Sequence, residues 1–170
     1  MTATSQPDAA FLPADSLPAD PLALERQVCF ALSIASRSVL TLYRPLLEPM
    51  GLTHPQYLVM LALWGQSPLS AKQIGEQLRL DAATLSPLLK RLESAGYLTR
   101  GRSQLDERRL DVGLTERGRQ LRASAEQIPA AIVQRLGIEI TELQSLHAGL
   151  SRVIAAVDVA TSDRRSGDSD

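Results

Sequence analysis

Cysteine is almost absent: Cys29 is the only one in 170 residues, so no disulfide closes within one chain. There are two histidines, His54 and His147. With no carboxylates clustered around them, no ligand set for a metal is expected. Aromatics make up 4% of the chain, so the core must be mainly Leu, Ala, Val and Ile, and the abundance of Leu, Ala, Arg, Gln and Glu favours helix. Net charge is −1, so a bulk basic signature for nucleic acid is missing. No phosphate loop occurs, since Gly96, Gly101 and Gly113 read as turn or strand residues, and no cofactor is expected. No charged-then-apolar leader opens the sequence, and no apolar run approaches membrane-spanning length. These two absences predict a soluble, cytoplasmic protein with no membrane partner, in a compartment where a thiol stays reduced.

Charge is lacking in total but not locally. Residues 90–122 hold nine of the eighteen basic residues: Lys90, Arg91, Arg100, Arg102, Arg108, Arg109, Arg117, Arg119 and Arg122. Five acidic residues oppose them, a local balance of +4. A phosphate backbone meets this local field rather than the total. A charged run is ordinarily a solvated surface. This one is nearly all arginine, which suits bidentate contacts to phosphate or guanine.

Pro7, Pro13, Pro18 and Pro21 punctuate an Ala-, Asp- and Ser-rich opening. Residues 1–20 therefore read as a flexible arm and the polar residues 158–170 as a disordered tail. Residues 21–157 between them form one domain. Apolar residues at steps of three and four from Leu24 to Leu46 predict a first helix over about 22–47, bent or ended by Pro45 and closed by Pro49 and Gly51. Thr53 with Gln56, and Ser70 with Gln73, have capping-box spacing and open helices over about 53–65 and 70–78. Asp81 is the expected N-cap of a helix over about 82–95, ended by Gly96. Residues 97–100 and 110–114 read as strands joined by the polar loop 101–109. Thr115 caps a fifth helix, about 116–135 with a kink at Pro129, and a sixth spans about 141–157.

That order predicts a mainly α fold with a small β-hairpin wing, a winged helix-turn-helix with its DNA-binding part at about 53–115. The long amphipathic helices at about 22–48 and 116–157 leave apolar stripes without a partner in one chain, which predicts a homodimer.

In a helix-turn-helix the second helix places its N-terminal half in the major groove. Here that half reads Ala82-Ala83-Thr84-Leu85-Ser86-Pro87. Small residues allow close approach; Thr84 and Ser86 suit base edges or phosphates, and the alanines suit thymine methyls. Pro87 lies within the first two turns, where a missing N–H costs least. Leu85, Leu88, Leu89 and Leu92 have the spacing of a core face, while Lys90 and Arg91 reach for phosphates. Arg102, Arg108 and Arg109 belong to the wing, with Arg108 and Arg109 suited to a narrow minor groove and Asp106 placed to orient Arg108.

The stretch Asp106-x-Arg108-x-x-x-Val112-x-Leu114-Thr115, continued by Glu116-x-Gly118, resembles the wing signature of the multiple antibiotic resistance regulator (MarR) family. Gln27-Val28-Cys29-Phe30-Ala31, Tyr43-Arg44-Pro45-Leu46-Leu47, Pro55-Gln56-Tyr57-Leu58 and the run from Leu80 to Arg91 resemble its organic hydroperoxide resistance regulator subgroup. The resemblance covers about residues 22–157. It implies a dimeric transcriptional repressor on a palindromic double-stranded DNA operator. An organic hydroperoxide, the inducer, oxidises a cysteine in the first helix and the operator is released. The matching cysteine is Cys29, and the tyrosine that bonds its sulfur matches Tyr43. Two further tyrosines of the subgroup are here Ser33 and His54. Ser33 is too short to replace a phenol, whereas His54 can donate a hydrogen bond or, protonated, supply a charge. If the first helix is continuous, Cys29 and Tyr43 are fourteen residues apart, about 21 Å along the axis. Contact between them then requires a second chain.

Read from local sequence alone, Cys29 on a mostly apolar helix favours a small core residue over a sensor; the resemblance reverses that reading. Without a second cysteine, sulfenic acid at Cys29 must be capped by a small external thiol, cyclise onto a backbone nitrogen or over-oxidise. Two alternatives stand beside the redox-switched repressor. One is a repressor controlled by a small-molecule ligand, with Cys29 structural. The other is a thiol peroxidase, against which stands the absence of a second group placed to activate peroxide; no enzyme is expected.

Overall fold

The structure, a computed structural model, describes residues 20, 22–102 and 110–167. The chain divides into two compact units, one ending at Thr41 and one beginning at Leu42. The elements are α1 (Val28–Leu47), α2 (His54–Gly65), β1 (Leu69–Ser70), α3 (Ala71–Leu78), α4 (Ala82–Ser94), β2 (Leu98–Arg102), β3 (Leu110–Leu114), α5 (Glu116–Ala125), α6 (Ile128–Leu136) and α7 (Ile140–Gly167). Short 3-10 turns occupy Leu24–Arg26 and Glu48–Met50.

The caps read from the sequence hold these helices. Gln73 N–H donates to Ser70 Oγ at 3.2 Å, and Ser70 N–H donates to Gln73 Oε1 at 2.9 Å. Thr53 N–H donates to Gln56 Oε1 at 2.8 Å, Thr84 N–H to Asp81 Oδ1 at 2.7 Å and Gly118 N–H to Thr115 Oγ1 at 3.0 Å. Each satisfies a backbone group that the first turn would otherwise leave without a partner.

The sheet is antiparallel in the order β1-β3-β2. Leu98 pairs with Leu114 and Arg102 with Leu110 in the wing, while Leu69 pairs with Val112. The expected hairpin is present. β1 was not expected: two residues carry no readable period, and its pairing is created by the fold.

In the second unit the core gathers α2, α3, α4 and the sheet, with Met60, Ile74, Leu92, Leu98 and Val112 almost wholly enclosed. Each such side chain contributes about 1.5–3 kcal/mol over its exposed state. Tyr97 lies in this core with its hydroxyl donating to Met50 O at 2.8 Å, so the polar end of a buried ring is satisfied.

Three expectations are corrected. The first helix starts at Val28 after a 3-10 turn, not at 22, and Pro45 sits inside it without ending it. The end comes at Leu47, followed by a turn holding Pro49 and by Gly51 in the left-handed region at φ 64°. The fifth helix is two: Pro129 lies in the first turn of α6 and opens it, because a proline's missing N–H and fixed φ suit a helix start and disrupt an interior. The last helix runs on to Gly167, so residues 158–167 are helical where a tail was expected, and 168–170 lie outside the described residues.

Candidate nucleic-acid interface and sulfur site

α3, the turn Arg79-Leu80-Asp81 and α4 form the helix-turn-helix. Gly75 permits the tight turn, since a Cβ there would lie 2.8 Å from Leu80 O. Leu85, Leu89 and Leu92 of α4 are buried and Leu88 is partly buried, as their spacing predicts. That leaves Ala82, Ala83, Thr84, Ser86, Pro87, Lys90 and Arg91 exposed, so the residues nominated for base and phosphate contact share the solvent side of the helix. Asp81 holds the N-terminus of this face, and the Thr84 N–H beside it keeps its carboxyl below the usual carboxylate range.

Arg102 ends β2 opposite Leu110. Asp106, Arg108 and Arg109, nominated for the wing tip, lie outside the described residues. Arg100 pairs with Glu93 of α4, its Nε donating to Glu93 Oε2 at 2.9 Å, so the guanidinium ties the wing to the reading helix. The sequence puts Arg100 in the basic run and at the end of the first wing strand but gives no signal for this pair, because the partner is seven residues away on another element.

At the base of the wing Gly118 packs directly on the Tyr97 carbonyl. Trp64 Nε1 donates to Gly118 O at 2.8 Å, and the Arg117 guanidinium lies 4.9 Å from the Tyr97 ring centre. A cavity of about 520 Å³ opens beside α4, lined among others by Lys72, Arg79, Leu85, Leu89, Arg100 and Val112. Nothing in the sequence signals it, because its walls come from α3, α4, β2 and β3.

Of the sulfur-site residues, Cys29 is the second residue of α1 and is exposed in the single chain. Ser33, one turn further along α1, is exposed as well. Tyr43, near the end of α1, and His54, which opens α2, come together: their ring centres are 5.0 Å apart at an interplanar angle of 72°. Tyr57 and Trp64 continue the stack, with centres 6.2 Å (Tyr43–Tyr57) and 6.3 Å (Tyr57–Trp64) apart. Burial lowers the His54 pKa from its ordinary value, which favours neutral imidazole, a hydrogen-bonding group, over the cation that was the other sequence option. Burial, and secondarily the neighbouring Tyr43, raise that of Tyr57. Among the described residues no group of His, Cys, Asp and Glu is placed to hold a metal ion, and no helix is long and apolar enough to cross a membrane.

Residues 41–124 match the family model of the transcriptional regulators SarA/Rot. The chain is 43% identical over 129 residues to the organic hydroperoxide resistance transcriptional regulator of Bacillus subtilis (strain 168), covering 74% of this chain and 88% of that protein. Among solved structures it is similar to AbfR of Staphylococcus epidermidis. Reduced AbfR bound to DNA matches at 34% identity with a TM-score of 0.66, over 79% of this chain and 94% of that one. Overoxidised AbfR bound to DNA matches at 34% identity with a TM-score of 0.63, with the same coverage of 79% and 94%. With its exposed reading helix, its antiparallel wing and these relatives, the chain belongs to the MarR family of winged helix-turn-helix transcriptional regulators, in the organic hydroperoxide resistance branch.

Proposed function

We propose that this regulator is a homodimeric, cytoplasmic repressor that releases a palindromic operator when an organic hydroperoxide oxidises Cys29. The observation that carries the reading is the Tyr43–His54 contact. Two residues nominated for the surroundings of one sulfur, from separate elements, share one half-buried ring pair. Cys29 of a second chain is the sulfur they would meet, with Tyr43 and neutral His54 as hydrogen-bonding partners and Ser33 beside the thiol. Ala82, Thr84, Ser86, Pro87, Lys90 and Arg91 read the operator's major groove, and the wing with Arg102, Asp106, Arg108 and Arg109 follows the backbone and minor groove.

The chemistry balances with one small thiol. The Cys29 thiolate attacks the outer peroxide oxygen, the O–O bond breaks, and the alkoxide takes a proton to leave as an alcohol; sulfur is oxidised to sulfenic acid. A small thiol then displaces water and leaves a mixed disulfide. The DNA-bound overoxidised AbfR favours bulk over added oxygen alone as the trigger: a capped sulfur forces apart packed surfaces that are bistable rather than soft. Release by a few hundredfold corresponds to about 3–4 kcal/mol.

The test is a titration of operator duplex with protein that is reduced, treated with cumene hydroperoxide, or treated with the peroxide plus a small thiol, followed by intact mass. The expected result is loss of binding with one thiol adduct per chain. Retained binding by a fully adducted protein contradicts it, as does continued peroxide turnover with a thiol donor, which would mark a peroxidase.

A second reading has its own observation. The cavity beside α4 has the size of a small organic ligand and joins apolar Leu85, Leu89 and Val112 to Lys72, Arg79 and Arg100, each ion-paired with a carboxylate of Glu76, Asp158 or Glu93. A repressor controlled by a small-molecule ligand there, with Cys29 structural, predicts release by ligand with the thiol intact.

A further inference from the structure

Arg79 stands where the backbone asks for glycine. It closes α3 at φ 56° and ψ 41°, and among the described residues it is the only non-glycine at positive φ. A Cβ is disfavoured in that region, and helix ends of this form normally carry Gly or Asn. The turn itself is set by other atoms. Leu80 N–H donates to Gly75 O at 2.9 Å, and Gly75 gives the clearance for that approach. The Arg79 side chain takes no part in that turn bond.

Its guanidinium reaches α7. Nη1 lies 2.5 Å from Asp158 Oδ1 and Nη2 lies 2.7 Å from Asp158 Oδ2, two parallel bonds in fork geometry. Lys72–Glu76, Glu116–Arg119 and Arg122–Glu126, by contrast, are local helix pairs. Arg79 is two residues ahead of Asp81, the cap of the reading helix. The fork therefore ties the lead-in of α4 to a helix with Leu146, Val153, Ile154 and Val157 exposed.

We infer that Arg79 and Asp158 form a strut that positions the reading helix on α7, and thereby sets the half-site spacing the protein accepts. The inference rests on the reading of α4 as the DNA-contacting helix and of α7 as part of the dimer platform. Both side chains are about half exposed, so the pair adds little to overall stability. Its effect is orientation: a planar fork fixes direction as well as distance, and in a dimer each protomer carries one.

The experiment uses full-length protein and a palindromic duplex selected by the wild type from a random pool, together with the same duplex lengthened by one central base pair. Arg79→Gly removes the strut and suits the turn; Asp158→Asn removes the charge from the other end. Both are expected to reduce the spacing preference about fivefold, with dimer content unchanged and Tm within about 2 °C of wild type. The exchange Arg79→Asp/Asp158→Arg is expected to restore most of the preference. An intact preference in both single variants overturns the strut alone. So do effects of opposite sign, with Arg79→Gly weakening both duplexes and Asp158→Asn tightening both, since Arg79 would then be a phosphate contact that Asp158 restrains. A wild type that selects no duplex overturns the DNA-reading account and the strut with it.

Discussion

His54 packs its ring against Tyr43 in a half-buried setting, and desolvation disfavours its charged form. Its folded pKa therefore lies below the unfolded value. The unfolded chain binds the extra proton as the pH falls, so stability is lost from about pH 6.5 downward. His54→Gln is expected to flatten the fall of Tm between about pH 6.5 and 5, measured by thermal melts across that range; an unchanged slope contradicts the assignment. In the proposed dimer the neutral ring above that range would offer an N–H to Cys29 of the second chain. His54→Ala should slow Cys29 alkylation about tenfold at pH 7, the scale of one hydrogen bond to a charged group, and an unaltered rate and pH profile remove His54 from the sulfur site. At this scale the sequence was partly legible. Tyr43 and His54 were nominated through resemblance, and the structure brings them together. Arg79 and Asp158 were not legible, because no local pattern pairs residues on two elements so far apart in the chain.

α4 shows how an element can be read in advance. Its cap, its buried leucines and its exposed small residues all follow from spacing, and the structure agrees on each. Asp81→Ala removes the acceptor for Thr84 N–H and is expected to lower Tm by about 4 °C, with weaker DNA binding from a frayed reading end. Because Thr84 holds the Asp81 pKa down, the cap's contribution is present above the ordinary carboxylate range and lost as pH falls through the lowered folded value. Where α5 meets the wing the limit is steric. A Cβ on Gly118 would sit 1.9 Å from Tyr97 O, so Gly118→Ala is expected to cost about 4 kcal/mol, roughly 12 °C in Tm. A melt within a few degrees of wild type contradicts that contact. Element boundaries were less legible than element types. Pro129 marks a start rather than a kink, and only the position of the preceding helix end decides between the two.

The whole chain leaves apolar groups in water. Val28, Leu32, Ile34 and Leu40 are exposed in the first unit, and Ile140, Leu146, Val153, Ile154 and Val157 in the second. On α7 Leu146, Val153, Ile154 and Val157 share one helix face, the kind of stripe a second copy would cover. Val153→Glu/Val157→Glu is expected to give a monomer by sedimentation velocity and to weaken operator binding by at least about a hundredfold, as two-headed binding is lost. A wild-type monomer at micromolar concentration contradicts the dimer. The α7 stripe was legible from helical period, whereas the exposed Leu32, Ile34 and Leu40 of α1 lie off the stripe read there; the cavity beside α4 was not legible, since its volume exists only once α3, α4, β2 and β3 have packed.

The central claim is that one sulfur per chain governs operator affinity, and fluorescence anisotropy on a labelled operator tests it most directly. Wild type and Cys29→Ser are titrated side by side with an organic hydroperoxide and a small thiol present. The account predicts equal affinity before treatment, then a loss of a few hundredfold for wild type and none for Cys29→Ser. Release of both proteins, or of neither, contradicts it.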